Sequence, residues 1–186
     1  MHLPRMLLLC ALSWPVIGFA ETLSLPPGAF ELPDGLQTLD RSETPDESTG
    51  KPSGIAVFTR EGDLPRAVFI VTYVPAASDE APFDARDAAV KIGNPFDPSL
   101  GPDAAKSIVI DGAPAAAYAG TLPNGLEVKS YAVEHNGYRI VVLLKGPAQK
   151  PYRSLMSRFA QAFEGLRWST PSPTPVAMPE TAAPSE

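Results

Sequence analysis

The spacing of apolar residues changes period along the chain. Between Pro151 and Trp168, the residues Tyr152, Leu155, Met156, Phe159, Ala162, Phe163 and Leu166 recur every three or four positions, with Arg153, Arg158, Gln161 and Glu164 opposite. That spacing predicts an amphipathic helix. Pro151 suits its first turn and Gly165 its C-terminal cap, which leaves Leu166-Arg167-Trp168 to dock as a short last strand or extended cover. A second helix is expected between Pro82 and Gly93, where Ala85, Ala88, Ala89 and Ile92 form a stripe and Gly93-Asn94-Pro95 is the stop. Gly54 to Arg60 and Arg66 to Val74 are instead β-rich runs separated by a turn at residues 61–65, which suggests an antiparallel pair. The second of these is apolar almost without alternation, the pattern of a central strand covered on both faces. Lys106 to Asp111 and Ala115 to Thr121 read as two more strands, joined by a turn at Gly112-Ala113-Pro114. Arg41 to Lys51 keeps no apolar period and is expected to be a mobile loop between strands.

The sharpest local signal is His135-Asn136-Gly137-Tyr138 between Leu126 to Glu134 and Arg139 to Leu144. Asn-Gly flanked by β runs predicts a type I′ hairpin, because both central residues must take positive φ. Two loop residues place His135 opposite Tyr138, Glu134 opposite Arg139, Val133 opposite Ile140 and Tyr131 opposite Val142. The opposed charges and aliphatic pairs favour that register.

The termini read differently. Residues 1–20 combine Arg5, an apolar run from Met6 to Phe19 broken at Trp14-Pro15, and small residues Gly18 and Ala20; this predicts a signal peptide cleaved near Ala20, with a periplasmic or secreted product. The run is too short for a membrane span, which needs about 20 apolar residues. Lipidation at Cys10 fits poorly because Leu9 precedes it. Residues 170–186 hold five prolines and little that could be buried, and are expected to be a disordered tail. Residues 21–169 remain as one folding domain, with no transmembrane segment in the mature chain.

Composition then removes chemistry. The chain carries 15 basic and 21 acidic residues, a formal charge of −6, the wrong sign for holding nucleic acid. Cys10 and His2 both lie in the leader, so a cleaved chain has no thiol and one histidine, His135. Its place beside a turn favours a surface role, since a general base needs an orienting acid and a nucleophile that the spacing does not supply. A Gly-x-Ser-x-Gly elbow is absent, and Gly50-Lys51-Pro52 lacks the glycine spacing and Ser/Thr of a phosphate loop. Asp79-Glu80, Asp84 and Asp87 match no calcium loop; Asp84 and Asp87 suit the first turns of a helix, where they complement its dipole. No catalytic, cofactor or metal residues are assigned. Arg153, Arg158 and Arg167, with Lys145 and Lys150, make the C-terminal quarter locally basic, a solvated helix face or a contact surface for an acidic partner or anionic lipid.

The order of elements, with Phe30-Glu31-Leu32-Pro33-Asp34-Gly35, Ile110-Asp111-Gly112-Ala113-Pro114-Ala115, Tyr131 and Tyr138 about the hairpin, and Phe159 to Trp168, resembles the PsbP-like family. Within it the chain looks like the small bacterial exported proteins of the DcrB type. The resemblance runs from Leu25 to Trp168. It implies an α+β fold, an α/β/α sandwich around a mostly antiparallel sheet, in a family that usually works by binding and assembly and without a catalytic signature. The metal-binding residues of photosynthetic members have no counterpart here. The expected function is a non-enzymatic exported module presenting a sheet edge or groove to an envelope protein, without cofactors. A small carboxylate-based hydrolase and a carrier of a small apolar ligand are the alternatives.

Overall fold

A computed structural model describes residues 21–62, 66–76 and 82–168. The expected signal peptide, the tail from residue 170, and parts of the acidic cluster and of the 61–65 turn lie outside them. The strands are β1 (Thr22–Leu25), β2 (Gly28–Glu31), β3 (Leu36–Pro45), β4 (Pro52–Arg60) and β5 (Val68–Pro75), then β6 (Lys106–Ile110), β7 (Ala113–Thr121), β8 (Leu126–His135), β9 (Tyr138–Pro147) and β10 (Arg167–Trp168). Helix α1 (Ala85–Gly93) lies between β5 and β6, and α2 (Lys150–Glu164) between β9 and β10.

β3 to β9 form one antiparallel sheet in the order β3-β4-β5-β9-β8-β7-β6. The chain lays down the meander β3-β4-β5, crosses through α1 to the far edge, and returns strand by strand until β9 closes against β5. One face buries Phe58, Phe69, Val71, Val142 and Leu144 beneath α2. A second, three-stranded sheet, β1-β2-β10, lies on that same side, its Leu23, Phe30 and Leu32 joining the same core. The opposite face receives α1. This is the α+β sandwich with a mostly antiparallel sheet that the family resemblance implied.

The Asn-Gly hairpin forms in the expected register, with His135 opposite Tyr138 and Glu134 opposite Arg139. Asn136 has φ 51° and Gly137 φ 71°, and Glu134 and Arg139 form an ion pair of 2.7 Å across the strands. α2 buries Tyr152, Leu155, Met156, Phe159 and Phe163 as its spacing required. Leu166 is fully buried, and Arg167 and Trp168 pair with Ala29 and Gly28 as a short last strand.

Four local expectations change. Arg41 to Pro45 is no loop: it is the outer half of β3, with almost every side chain exposed, held by its backbone bonds to β4. A lone edge strand needs no apolar face when its partner strand supplies the ladder, so the period that would mark it is missing. Asp46 closes the following turn, its Oδ1 accepting from the Ser48 and Thr49 hydroxyls at 2.7 and 2.9 Å and from their backbone N–H groups at 3.1 and 2.9 Å; these bonds, the hydroxyls foremost, hold its carboxyl below the ordinary value. Second, β5 is an interior strand, yet only Phe69, Val71, Tyr73 and Pro75 are fully buried, whereas Val68, Ile70 and Thr72 are half-buried and Val74 is 46% exposed. Nine-residue α1 covers β7 and β8 but falls short of β5. Third, α1 buries Ala89, Val90 and Gly93, and Ile92 is exposed. Gly93 is part of the packing face: a Cβ there would strike the Tyr118 ring and the Ser130 hydroxyl. Finally, the turn after β6 sits at Asp111-Gly112, with φ 45° and 84°, one residue earlier than expected.

Replacing Asn136-Gly137 with Val-Val should cost roughly 2 to 4 kcal/mol, because β-branched residues resist the left-handed region at both positions. Urea denaturation measures it, and a midpoint equal to that of the parent protein would contradict the type I′ turn.

Candidate partner-binding groove

Tyr152, Leu155, Phe159 and Phe163 fix the rotation of α2 about its axis, and this rotation decides where its arginines go. Arg153 and Arg158 are five residues apart, about 140° around the helix, so they emerge on opposite flanks. On the β8 flank, Arg153 meets Glu127, its Nε lying 2.9 and 2.8 Å from the two carboxylate oxygens while Nη2 also donates to Oε1. This bidentate pairing holds the Glu127 carboxyl below the ordinary glutamate value and raises the Arg153 guanidinium.

On the other flank, Arg158 overhangs a groove of about 600 Å³ between α2 and the β1-β2 hairpin. The buried Phe30 and Leu32 form its floor with Ala162, and Glu31, Asp34 and Arg167 share its rim. Arg158 is exposed and has no ion pair or hydrogen bond among the described residues. Arg167 is held loosely, its Nη1 lying 3.5 Å from Asp111 Oδ1 with the side chain 73% exposed. Of the three arginines singled out in the sequence, two therefore share one groove and the third is engaged elsewhere. Lys145 and Lys150 do not line it.

One wall of the groove is formed by Gly165 and β10, and it is clamped. Trp168 donates its backbone N–H to Asp111 Oδ2 and its indole Nε1 to the Ile110 carbonyl, both at 3.1 Å. The His135 ring lies against the indole with centroids 4.5 Å apart. Asp111 is the residue that sequence reasoning passed over. The Asp-Gly pair between two β runs was the available signal, because it places a type I′ turn, and a free carboxylate, at that corner.

The remaining polar groups act structurally. Asp84 caps α1 by accepting from the N–H groups of Arg86 and Asp87, and Asp87 pairs with Lys91 at 2.6 Å. Tyr131 donates to Glu164 at 3.2 Å, and Tyr73 donates to Glu43; burial first, then these carboxylates, push both phenols well above the ordinary tyrosine value. Both remain neutral donors at physiological pH. No cluster of three potential metal-ligating side chains occurs among the described residues.

Two measurements test this geometry. In a chain starting at Glu21, Trp168 is the only tryptophan, and Asp111→Ala should shift its emission to the red and cost roughly 1 to 2 kcal/mol through the lost bond; unchanged emission would refute the clamp. The Glu127 carboxyl, held low, contributes stability that is present above its ordinary value of 4.5 and lost as pH falls through its folded value. Arg153→Met should therefore lower the melting temperature by a constant amount above pH 4.5, with the difference from the parent shrinking in more acidic solution. A difference independent of pH would reject the pairing.

No family model and no curated protein matches the sequence. Among solved structures, the chain is similar to the solution structure of cyanobacterial PsbP (CyanoP) from Synechocystis sp. PCC 6803. The two are 14% identical over 84% of this chain and 98% of that one, with a TM-score of 0.54. A Pseudomonas aeruginosa protein of unknown function is 20% identical over 84% of this chain and all of that one, with a TM-score of 0.38. The fold of residues 21–168 is thus PsbP-like.

Proposed function

We propose that the protein is a non-enzymatic binding or assembly module, exported as a DcrB-like member of the PsbP-like group and acting on an envelope protein in the periplasm. The observation that carries this reading is the groove beside α2, which sets two exposed arginines over an apolar floor. Arg158 makes no ion pair among the described residues, and Glu31 and Asp34 stand on the same rim. An apolar floor with a charged rim suits a protein surface that supplies one apolar anchor and a carboxylate. The absence of a sequence signature for nucleophilic or phosphate chemistry supports the non-enzymatic part. The carrier alternative is disfavoured, since the space between the main sheet and α2 is filled by Phe30, Phe58, Phe69, Phe159 and Phe163. No helix among the described residues is long and apolar enough to cross a membrane.

The test has three parts. Intact mass of the exported protein should correspond to a chain beginning at Glu21; retention of residues 1–20 or a lipid adduct on Cys10 would overturn export by this route. Affinity capture from envelope extract should recover a defined protein, and Arg158→Glu with Arg167→Glu should weaken that capture and reduce its sensitivity to salt, because exposed charge pairs are screened within a Debye length of about 8 Å at physiological ionic strength. Capture indifferent to both changes removes the groove from the reading. A robust hit in an esterase, glycosidase, phosphatase and peptidase screen rejects the non-enzymatic assignment itself.

A further inference from the structure

The two edges of the main sheet are protected unequally. β3 carries Asp40, Arg41 and Glu43, a bulge between Thr38 and Asp40, and a terminal proline, Pro45. Each of these discourages pairing with another strand. β6, at the other edge, has none of them beyond Lys106 at its start, and its sequence is Lys-Ser-Ile-Val-Ile.

The hairpin geometry fixes which of its backbone groups are left over. β6 turns into β7 through Asp111 and Gly112, so Ile110 and Ala113 are the closing pair. In a two-residue turn of this type the closing pair is hydrogen-bonded, and the alternation of an antiparallel ladder then assigns Ile108 and Lys106 to β7. The N–H and C=O groups of Ser107 and Val109 point away from the sheet. No strand pairs with that side among the described residues.

The flanking surface matches this edge. Val109 is 68% exposed. Beside it, on the α1 face, lies a groove of about 650 Å³ lined by Val109, its cross-strand neighbour Pro114, and Phe83. The charges around it are engaged: Glu134 with Arg139 at 2.7 Å, Asp103 with Arg86 at 2.8 Å, and Asp84 as the cap of α1. The Arg86 Nε, buried in that wall, has no acceptor.

We propose that β6 is a strand-accepting edge, which binds an extended peptide segment of a partner protein. The segment's backbone satisfies Ser107 and Val109, and one of its apolar side chains fills the groove against Phe83 and Pro114. An alternating row of donors and acceptors complements extended backbone and nothing more compact, which excludes a docked helix at this site. Recognition here is by backbone and apolar contact, so it is insensitive to salt. That separates it from the arginine groove, and neither site depends on the other.

A phage-displayed library of random heptapeptides, selected on the exported protein, provides the test, with selected sequences resynthesised as end-capped peptides. Those peptides should carry apolar residues at alternate positions and shift the amide signals of Ser107 and Val109. Their affinity should hold between low and high salt and survive Arg158→Glu. Val109→Pro removes only the outward N–H, sparing the ladder to β7, and should weaken binding about tenfold or more. Val109→Lys, which keeps that N–H and loses the apolar contact, should also weaken it and guards against a proline variant that fails to fold. Selection yielding no sequence that prefers the parent over either variant, or peptides that shift amides elsewhere, would overturn the proposal. So would a dimer by light scattering that Val109→Lys dissolves, which assigns the edge to a second copy. Protection of the Ser107 and Val109 amides that disappears on deleting residues 169–186 would overturn it as well, by assigning the edge to the chain's own end.

Discussion

Phe159 is the contact on which the arrangement rests. Its ring lies 5.4 Å from Phe69, 6.2 Å from Phe58 and 5.8 Å from Phe30, centroid to centroid, so one side chain of α2 touches two strands of the main sheet and one of the small sheet. Phe163, one turn on, repeats the pattern with Phe30 and Tyr131, both at 5.6 Å. Burial of aromatic rings supplies most of the energy, and the tilted and edge-on geometries add about 0.5 to 1.5 kcal/mol per pair. The functional consequence is positional. With these two rings fixed, the rotation of α2 is fixed, and with it the flank from which Arg158 emerges.

The two faces of the main sheet are built to different standards. Beneath α2 and the small sheet the core is closed and rich in rings. Beneath α1 it is thin: small residues, Ala89, Ala116, Ala132 and Gly93, allow the helix to sit close, with Ser130 donating to the Ala89 carbonyl at 2.5 Å. Close approach shortens the reach of a nine-residue helix across a seven-stranded sheet. Val68, Ile70 and Val74 are left half-buried or exposed for that reason, although their sequence reads as a strand covered on both sides.

What could be read from the sequence follows from how local each cause is. The Asn136-Gly137 hairpin was legible to the residue because turn chemistry and cross-strand pairing act within a dozen positions. α2 was legible because its apolar period is written in eighteen consecutive residues. β3 was not, since its outer half is a strand only by virtue of β4, and nothing in Arg41 to Pro45 records that partner. Of the stripe on α1, Ala85, Ala88 and Ala89 do pack into the core and Ile92 alone does not, because Gly93 and Val90 complete a face set by the Tyr118 and Ser130 surface on β7 and β8, far away in sequence. The arginines were visible as a group, but their division between two flanks depends on packing that joins Phe30 to Phe163. The same holds for Asp111, whose role requires Trp168, 57 residues later.

Arg167 and Trp168 join the two surfaces mechanically. On one side this short strand pairs with Ala29 and Gly28 and lends Arg167 to the groove; on the other it is bonded to Ile110 and Asp111, the end of β6. Gly28 is required at that crossing, because a Cβ there would collide with the Arg167 carbonyl. Two residues thus tie the β1-β2 hairpin to the outer edge of the main sheet, across the end of the core. A terminal strand of only two residues has little ladder of its own, so it is held by side-chain bonds and by the His135 stack, and it is the weakest link between the parts it connects. The indole of Trp168 therefore lies between the groove and the end of β6, within reach of a fluorescence measurement at either.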